Sequence, residues 1–280
     1  MGFRYPKSLV PALLTTLFCL SLSSCGKGRA EKLIVAGSNS AYSYVEFLAE
    51  IYTVKQPKIN VIVQGGGSSA GIESALTGTS NIGMSSRELK PKEEFEAGGK
   101  VKLQKVPFAF DVIAVIVNAN SPLTNISSEQ LRNLFAGHIN KIDNWPLTVV
   151  TREEGSGTRA SFEESVMKAP GSKKTDRISN SALVQDSNGT IREIVAGDPN
   201  AIGYISLGLV DKRVKTLSVD NVIPTAETVK NGSYKIAHRF LFLLKTRNNP
   251  PAEDFIKFCL SPEGQNLLAK KGLIEVENIQ

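Results

Sequence analysis

INVIVQGGGSSAGIESALTGTSNIGMSS, residues 59–86, decides the fold. Ile59 to Gln64 is a short run rich in β-branched residues, and three glycines and two serines then break it. A helical stretch follows through IESAL, and NIGMSS returns to a strand pattern. Strand, small-residue turn, helix and strand make up the unit of a parallel sheet in an α/β protein, where ligands sit at the carboxyl ends of the strands. The chain just upstream repeats the unit. KLIVAG (32–37) reads as a strand, and beyond Ser38 to Ser40 a helix carries Tyr44, Phe47, Leu48 and Ile51 at spacings of three and four.

Downstream, VPFAFDVIAVIVN (106–118) is the most apolar stretch after residue 25 and reads as a buried strand. Ser127 opens a short helix, with Gln130 as its capping-box partner. LTVVTRE (147–153) is a further strand, delivering the chain to GSGT (155–158) and the helix ASFEESVMK (160–168). AIGYISLGLV (201–210) and HRFLFLLKT (238–246) read as strands, and AEDFIKFCLSPEGQNLLAKKGL (252–273) as helix, turn and helix.

The chain has 280 residues, enough for about two domains at roughly 150 residues each. With 41% hydrophobic and 21% charged residues it has the composition of an ordinary globular protein, which excludes disorder, collagen and a disulfide scaffold. The formal charge of +6 overstates the basic character of the folded part. Arg4 and Lys7 precede an apolar run from Leu9 to Leu22, and Leu22-Ser23-Ser24-Cys25 follows, which makes residues 1–24 a secretory signal in form. That run is shorter than the roughly 20 residues a membrane span needs. Its removal leaves +4. Cys259, in the apolar FIKFCL, reads as a core residue.

Four times a strand delivers the chain to a turn of Gly, Ser, Thr or Asn: GSNSA (37–41), GGGSSAG (65–71), MSSRE (84–88) and REEGSGTRA (152–160). The first N–H groups of a helix have no internal partners, and the macrodipole places about half a positive charge there. Hydroxyl donors and an arginine turn such a terminus into an anion site. Arg87 and Arg152 each offer a permanently charged planar fork. Arg152 stands four residues before Ser156, so that its guanidinium and the helix start at Gly157 and Thr158 are expected to converge.

The segments 65–89, 111–145, 152–163 and 198–210 together resemble, in order, the phosphate-binding proteins of bacterial ABC importers, the PstS family, in its compact lipoprotein form. The resemblance implies a type II periplasmic-binding fold: two α/β lobes joined by two crossover strands, with the ligand in the cleft between them. Residues 31–109 plus 246–280 then form the first lobe and 110–245 the second, with VIAVIVN and FLFLLK as the crossings. Carried over by motif, the phosphate loops fall on Ser38, Asn39 and Ser40, on Ser68 and Ser69, on Ser85, Ser86 and Arg87, and on Arg152, Ser156, Gly157 and Thr158. Cys25 matches the acylated residue of a lipobox, ending the signal 1–24 and beginning a linker 25–30. The implied protein is no enzyme, needs no cofactor or metal, and is a monomer tethered outside the cytoplasm that hands phosphate to the transmembrane subunits of an ABC permease.

One departure bears on selectivity. Some family members place an aspartate in the third loop to accept the proton of hydrogen phosphate, and Ser86 stands there in this chain. Glu88, Asp111, Glu153 and Glu154 are candidate substitutes, and Glu154 is also a candidate partner for Arg152. The acceptor stays unassigned, and sulfate, molybdate or tungstate stay open as ligands. Gly67-Ser68-Ser69-Ala70-Gly71 also fits the GxSxG of a serine hydrolase, with Asp198 or Asp211 and His238 in the required order. No loop signature surrounds His238, which disfavours that reading. The loose glycine pattern at 65–70 lacks a well-placed ribose-binding acid, and two histidines give no metal-ligand spacing. Lys168, Lys173, Lys174 and Arg177 lack the interleaved aromatics of a nucleic-acid surface and read as a solvated loop.

Overall fold

A computed structural model describes Gly2 and residues 30–96, 103–172, 174–245 and 249–276. The signal 1–24, Cys25, most of the linker, and Lys173 lie outside the described residues. The first half of the chain supplies strands β1 (Glu31–Gly37), β2 (Ile59–Gln64), β3 (Ile82–Ser85) and β4 (Leu103–Asn118). Between them lie helices α1 (Asn39–Lys55), α2 (Ser68–Thr77) and α3 (Pro91–Glu96). Next come β5 (Asn125–Ile126), α4 (Ser128–Phe135), β6 (Lys141–Ile142), β7 (Trp145–Pro146), β8 (Thr148–Arg152) and α5 (Gly157–Val166). The remainder is β9 (Leu183–Gln185), α6 (Asn188–Gly197), β10 (Ala201–Ser206), β11 (Val214–Thr216), β12 (Ser218–Val219), α7 (Ala226–Lys230), β13 (Ala237–Lys245), α8 (Pro250–Leu260) and α9 (Pro262–Ala269).

One sheet runs β2-β1-β3-β13-β4-β10-β8-β9, with β11 beside β4. β1 is parallel to β2 and β3, as the strand-turn-helix-strand unit requires. β4 and β13 are the long antiparallel members. β4 pairs with β13 from Leu103 to Val112, and from Ile113 to Val117 it pairs with β10 instead. The strand therefore passes from one hydrophobic core to another. The first core gathers Leu33, Val35, Leu48, Phe108, Phe240, Phe242 and Phe255, with Cys259 fully buried in it. The second gathers Val115, Phe135, Phe162, Ile202 and Tyr204, where Phe162 and Tyr204 stack at 4.0 Å. At roughly 25 cal/mol per Å² of apolar surface, these aromatic stacks dominate each core.

Two readings need adjustment. The 201–210 stretch ends as a strand at Ser206 and turns into a short 3-10 helix, Leu207–Leu209. A Cβ on Gly208 would lie 2.4 Å from the carbonyl oxygen of Lys271, so the chain turns there to fit the C-terminal segment. In α1, Tyr44 and Leu48 are buried as expected, but Val45 and Tyr52 complete the buried face while Phe47 and Ile51 sit at its margin. The capping box of Ser127 and Gln130 is formed.

Candidate functional site

Each strand-to-helix turn on the carboxyl side of the sheet is capped by its own small residues. Ser38 accepts from Ala41 N and starts α1, and Ser156 accepts from Arg159 N and starts α5. α2 begins after Gly67, whose φ of 87° is open to glycine at little cost. The starts of α1, α2 and α5, whose first N–H groups lack intrahelical partners, lie against one another.

Inside that region the hydroxyls touch. Ser38 Oγ donates to Ser86 Oγ at 2.9 Å, and Ser68 Oγ lies 3.2 Å from the same atom while accepting from Ser86 N at 2.9 Å. Ser40 Oγ and Thr158 Oγ1 share a short hydrogen bond. Gly157 seals the contact between the two cores, because a Cβ there would lie 2.1 Å from Ser86 Oγ and 2.3 Å from Ser68 Oγ. Only a glycine lets α5 approach this closely.

Arg152, at the end of β8, is 1% exposed. Glu153 holds it in a bidentate pair, Nε to Oε2 at 2.9 Å and Nη2 to Oε1 at 3.0 Å. Glu154, the candidate partner, is instead exposed and lines a neighbouring polar cavity. Nη2 also donates to the Asp186 carbonyl, and Nη1 faces Ser40 Oγ and Asn188 Oδ1, each at 3.3 Å. The guanidinium is thus oriented from one side by acceptors, with its Nη1 edge toward the cluster.

The structure separates the residues of the predicted loops. Ser38, Ser40, Ser68, Ser86, Arg152, Gly157 and Thr158 come together, with Ser156 capping behind them. Asn39, Ser69, Ser85 and Arg87 have other engagements. Asn39 bridges Gly66 N and the Asp186 carbonyl, and Ser69 N donates to the Gly155 carbonyl. Ser85 Oγ closes a local turn by donating to the Arg87 carbonyl. Arg87 forks onto Glu93 at 2.7 and 2.6 Å and donates to Ser69 Oγ at 3.0 Å. Although burial opposes it, this fork and the Lys90 N–H hold the Glu93 carboxyl below the usual range. Arg87 belongs to a polar cavity of about 580 Å³ at the mouth, with Glu154, Ser156 and Arg159.

Three of the four candidate carboxylates have protein partners. Glu88 faces Arg239, and Glu153 holds Arg152. Asp111 on β4 accepts from Ser206 Oγ at 2.6 Å and lies 3.0 Å from His238 Nε2 on β13. His238 Nδ1 is 2.7 Å from the Ser86 carbonyl, an acceptor only, so this nitrogen carries the proton and donates. Both ring nitrogens are thereby occupied, and Ser69 is bound to Arg87 rather than to a base. Among the described residues, Ser69, His238 and an acid do not line up as a hydrolase needs.

Asn188 is the residue the four-turn reading missed. It is the first residue of α6, whose start is capped by Ser187, and it is 3% exposed. The signal was present: LVQ at 183–185 leads into Ser187-Asn188-Gly189-Thr190, a fifth turn of the same kind.

The sequence pattern of the PBP superfamily domain matches residues 24–263. A putative phosphate ABC transporter substrate-binding protein from Clostridium perfringens, solved with bound phosphate, is 38% identical, with a TM-score of 0.80 over 88% of this chain and 100% of that one. The chain belongs to the PstS-type phosphate-binding branch of the PBP superfamily. An ABC-type phosphate transport receptor from Vibrio cholerae is 33% identical, with a TM-score of 0.72 over 86% of this chain and 99% of that one. The phosphate-binding protein PstS of Bacillus subtilis is 29% identical over 97% of this chain and 95% of its own length. The fold is that of the periplasmic binding proteins, and the family consists of solute-binding proteins rather than enzymes. Binding, with no chemical step, is also what a cluster of oriented donors does.

Proposed function

We propose that the protein captures inorganic phosphate between its two cores and delivers it to the transmembrane subunits of an ABC permease. The observation that carries this reading is the convergence of capped helix starts and hydroxyls around the Nη1 edge of a buried, acid-oriented Arg152. The phosphate ligands are Ser38, Ser40, Ser68, Ser86, Arg152, Gly157 and Thr158, with the N–H groups of the α1 and α5 starts. Each hydrogen bond to a charged oxygen contributes roughly 1.5 to 3 kcal/mol, so four or five suffice for micromolar binding at about −8 kcal/mol. Residues 31–109 plus 246–280 form one lobe and 110–245 the other. The two cores and the passage of β4 between them support two lobes, although Phe240 and Phe242 of β13, numbered within the second segment, pack into the first core.

The anchor follows from residues 1–25: cleavage of the signal at 24 and acylation of Cys25 tether a monomer on the outer side of the cytoplasmic membrane. Among the described residues no helix is long and apolar enough to cross a membrane. Ser86 in place of an aspartate favours a second reading of the ligand, in which sulfate, molybdate or tungstate also binds, since the cluster offers donors and neutral hydroxyls. Titration calorimetry on protein stripped of endogenous ligand, with phosphate, arsenate, sulfate and molybdate, tests both. Phosphate is expected at micromolar affinity or tighter, and sulfate as a measurable competitor. Absence of phosphate binding would overturn the first reading, and strict exclusion of sulfate the second.

A further inference from the structure

Among the described residues, Asn188 Nδ2 and Arg192 Nε are the buried side-chain atoms without a hydrogen-bond partner. Arg192 lies away from the cluster and still faces Asp211 at 3.4 Å. Asn188 is at the cluster. Its Oδ1 accepts from Arg152 Nη1 at 3.3 Å, and because a guanidinium only donates, the amide cannot be turned the other way round. Its Nδ2 is left as a donor without a partner, on a side chain that shares Arg152 Nη1 with Ser40, itself bonded to Thr158. Buried amide nitrogens are almost always satisfied, so one left open beside an oriented arginine points to an absent acceptor.

We propose that Asn188 reads the bound anion: Oδ1 fixes Arg152, and Nδ2 donates to one oxygen of the tetrahedral oxyanion. This rests on the phosphate reading above. It adds a fourth helix start to the site and supplies a neutral donor, whereas a carboxylate would have selected for a protonated ligand. The site then holds the anion by donors from every side, and its preference for phosphate over sulfate is small.

Affinities of ligand-stripped wild type, Asn188→Ala and Asn188→Asp for inorganic phosphate and for sulfate test it, with melting curves run alongside. Asn188→Ala removes the donor and weakens both anions by roughly 10- to 100-fold, the usual worth of a hydrogen bond to a charged group. Asn188→Asp keeps an acceptor for Arg152 but puts a carboxylate oxygen in place of the donor. Hydrogen phosphate can turn its proton toward that oxygen, whereas sulfate has none to give, so phosphate-over-sulfate selectivity rises by at least about tenfold. An asparagine that merely held the helix start would change both affinities by the same factor. Equal losses in Asn188→Asp, or unchanged phosphate affinity in Asn188→Ala, would overturn the inference. Unchanged phosphate affinity in Asn188→Ala overturns the inference whether or not Asn188→Asp folds, and the selectivity change in Asn188→Asp is what separates a donor to the anion from an asparagine that only holds Arg152. Wild type that binds neither anion would instead defeat the phosphate reading itself.

Discussion

At the scale of the residue, the site depends on one position that has no side chain. Gly157 brings α5 against Ser68 and Ser86, and a methyl group there would meet their hydroxyl oxygens at 2.3 and 2.1 Å. Gly157→Ala is therefore expected to hold the two cores apart and weaken phosphate binding by more than about tenfold. Its melting temperature should change little, because an alanine suits the first turn of a helix. Calorimetry and a thermal melt check this, and unchanged affinity would show that the close approach is not needed. Arginines were harder to read from the sequence than glycines. Arg87 and Arg152 each stand beside an acid, but Arg87 takes Glu93 six residues on, while Arg152 takes the adjacent Glu153 rather than Glu154. A long flexible side chain chooses its partner in three dimensions, and local spacing does not encode that choice.

At the scale of the element, strands and caps were legible because their signals are local. β1, β2, β3, β4 and β8 follow from β-branched runs that end in small residues, and the Ser127 box from its three-residue spacing. α6 escaped as a site element because the strand before it has only three residues, two of them exposed, and gives a weak apolar pattern. Less visible still was the link between the crossing strands. Asp111 of β4 and His238 of β13 are register partners, and through His238 they hold the Ser86 carbonyl from behind. The sequence shows two polar residues in apolar strands, and only the pairing shows that they satisfy each other. Removing one partner of such a buried hydrogen-bonded pair leaves the other unsatisfied and costs about 1 to 3 kcal/mol. Asp111→Ala should lower the denaturant midpoint accordingly, with a smaller loss for Asp111→Asn. A loss under about 1 kcal/mol would mean that the pair is replaceable by water.

At the scale of the whole molecule, buried tyrosines tie the fold to alkaline pH. Burial pushes Tyr204 up to about 12, and its hydrogen bond with Thr151 only partly opposes this. Burial likewise raises Tyr44, with the Asp111 charge adding to the effect, and raises Tyr234. Their folded values lie above the unfolded value of about 10, so the stability they contribute is complete below about pH 10 and is lost as the pH climbs toward 12. Tyrosinate absorbance from these residues should therefore appear together with loss of near-ultraviolet circular dichroism. Ionisation near pH 10 with the dichroism intact would contradict their burial.

The two cores meet where Ser40 touches Thr158, Asn39 reaches Asp186, and Gly157 faces Ser68 and Ser86, so the ligand site exists only when both are in place. Length alone points to about two domains and does not place a site. The arrangement instead gathers local donors at the Nη1 edge of Arg152, where we propose that one small anion binds. Phosphate titrated into ligand-stripped wild type and into Arg152→Ala tests that most directly. The wild type is expected to bind at micromolar affinity or tighter and the variant at least about 100-fold more weakly, and equal affinities in the two proteins would show that Arg152 does not hold the anion.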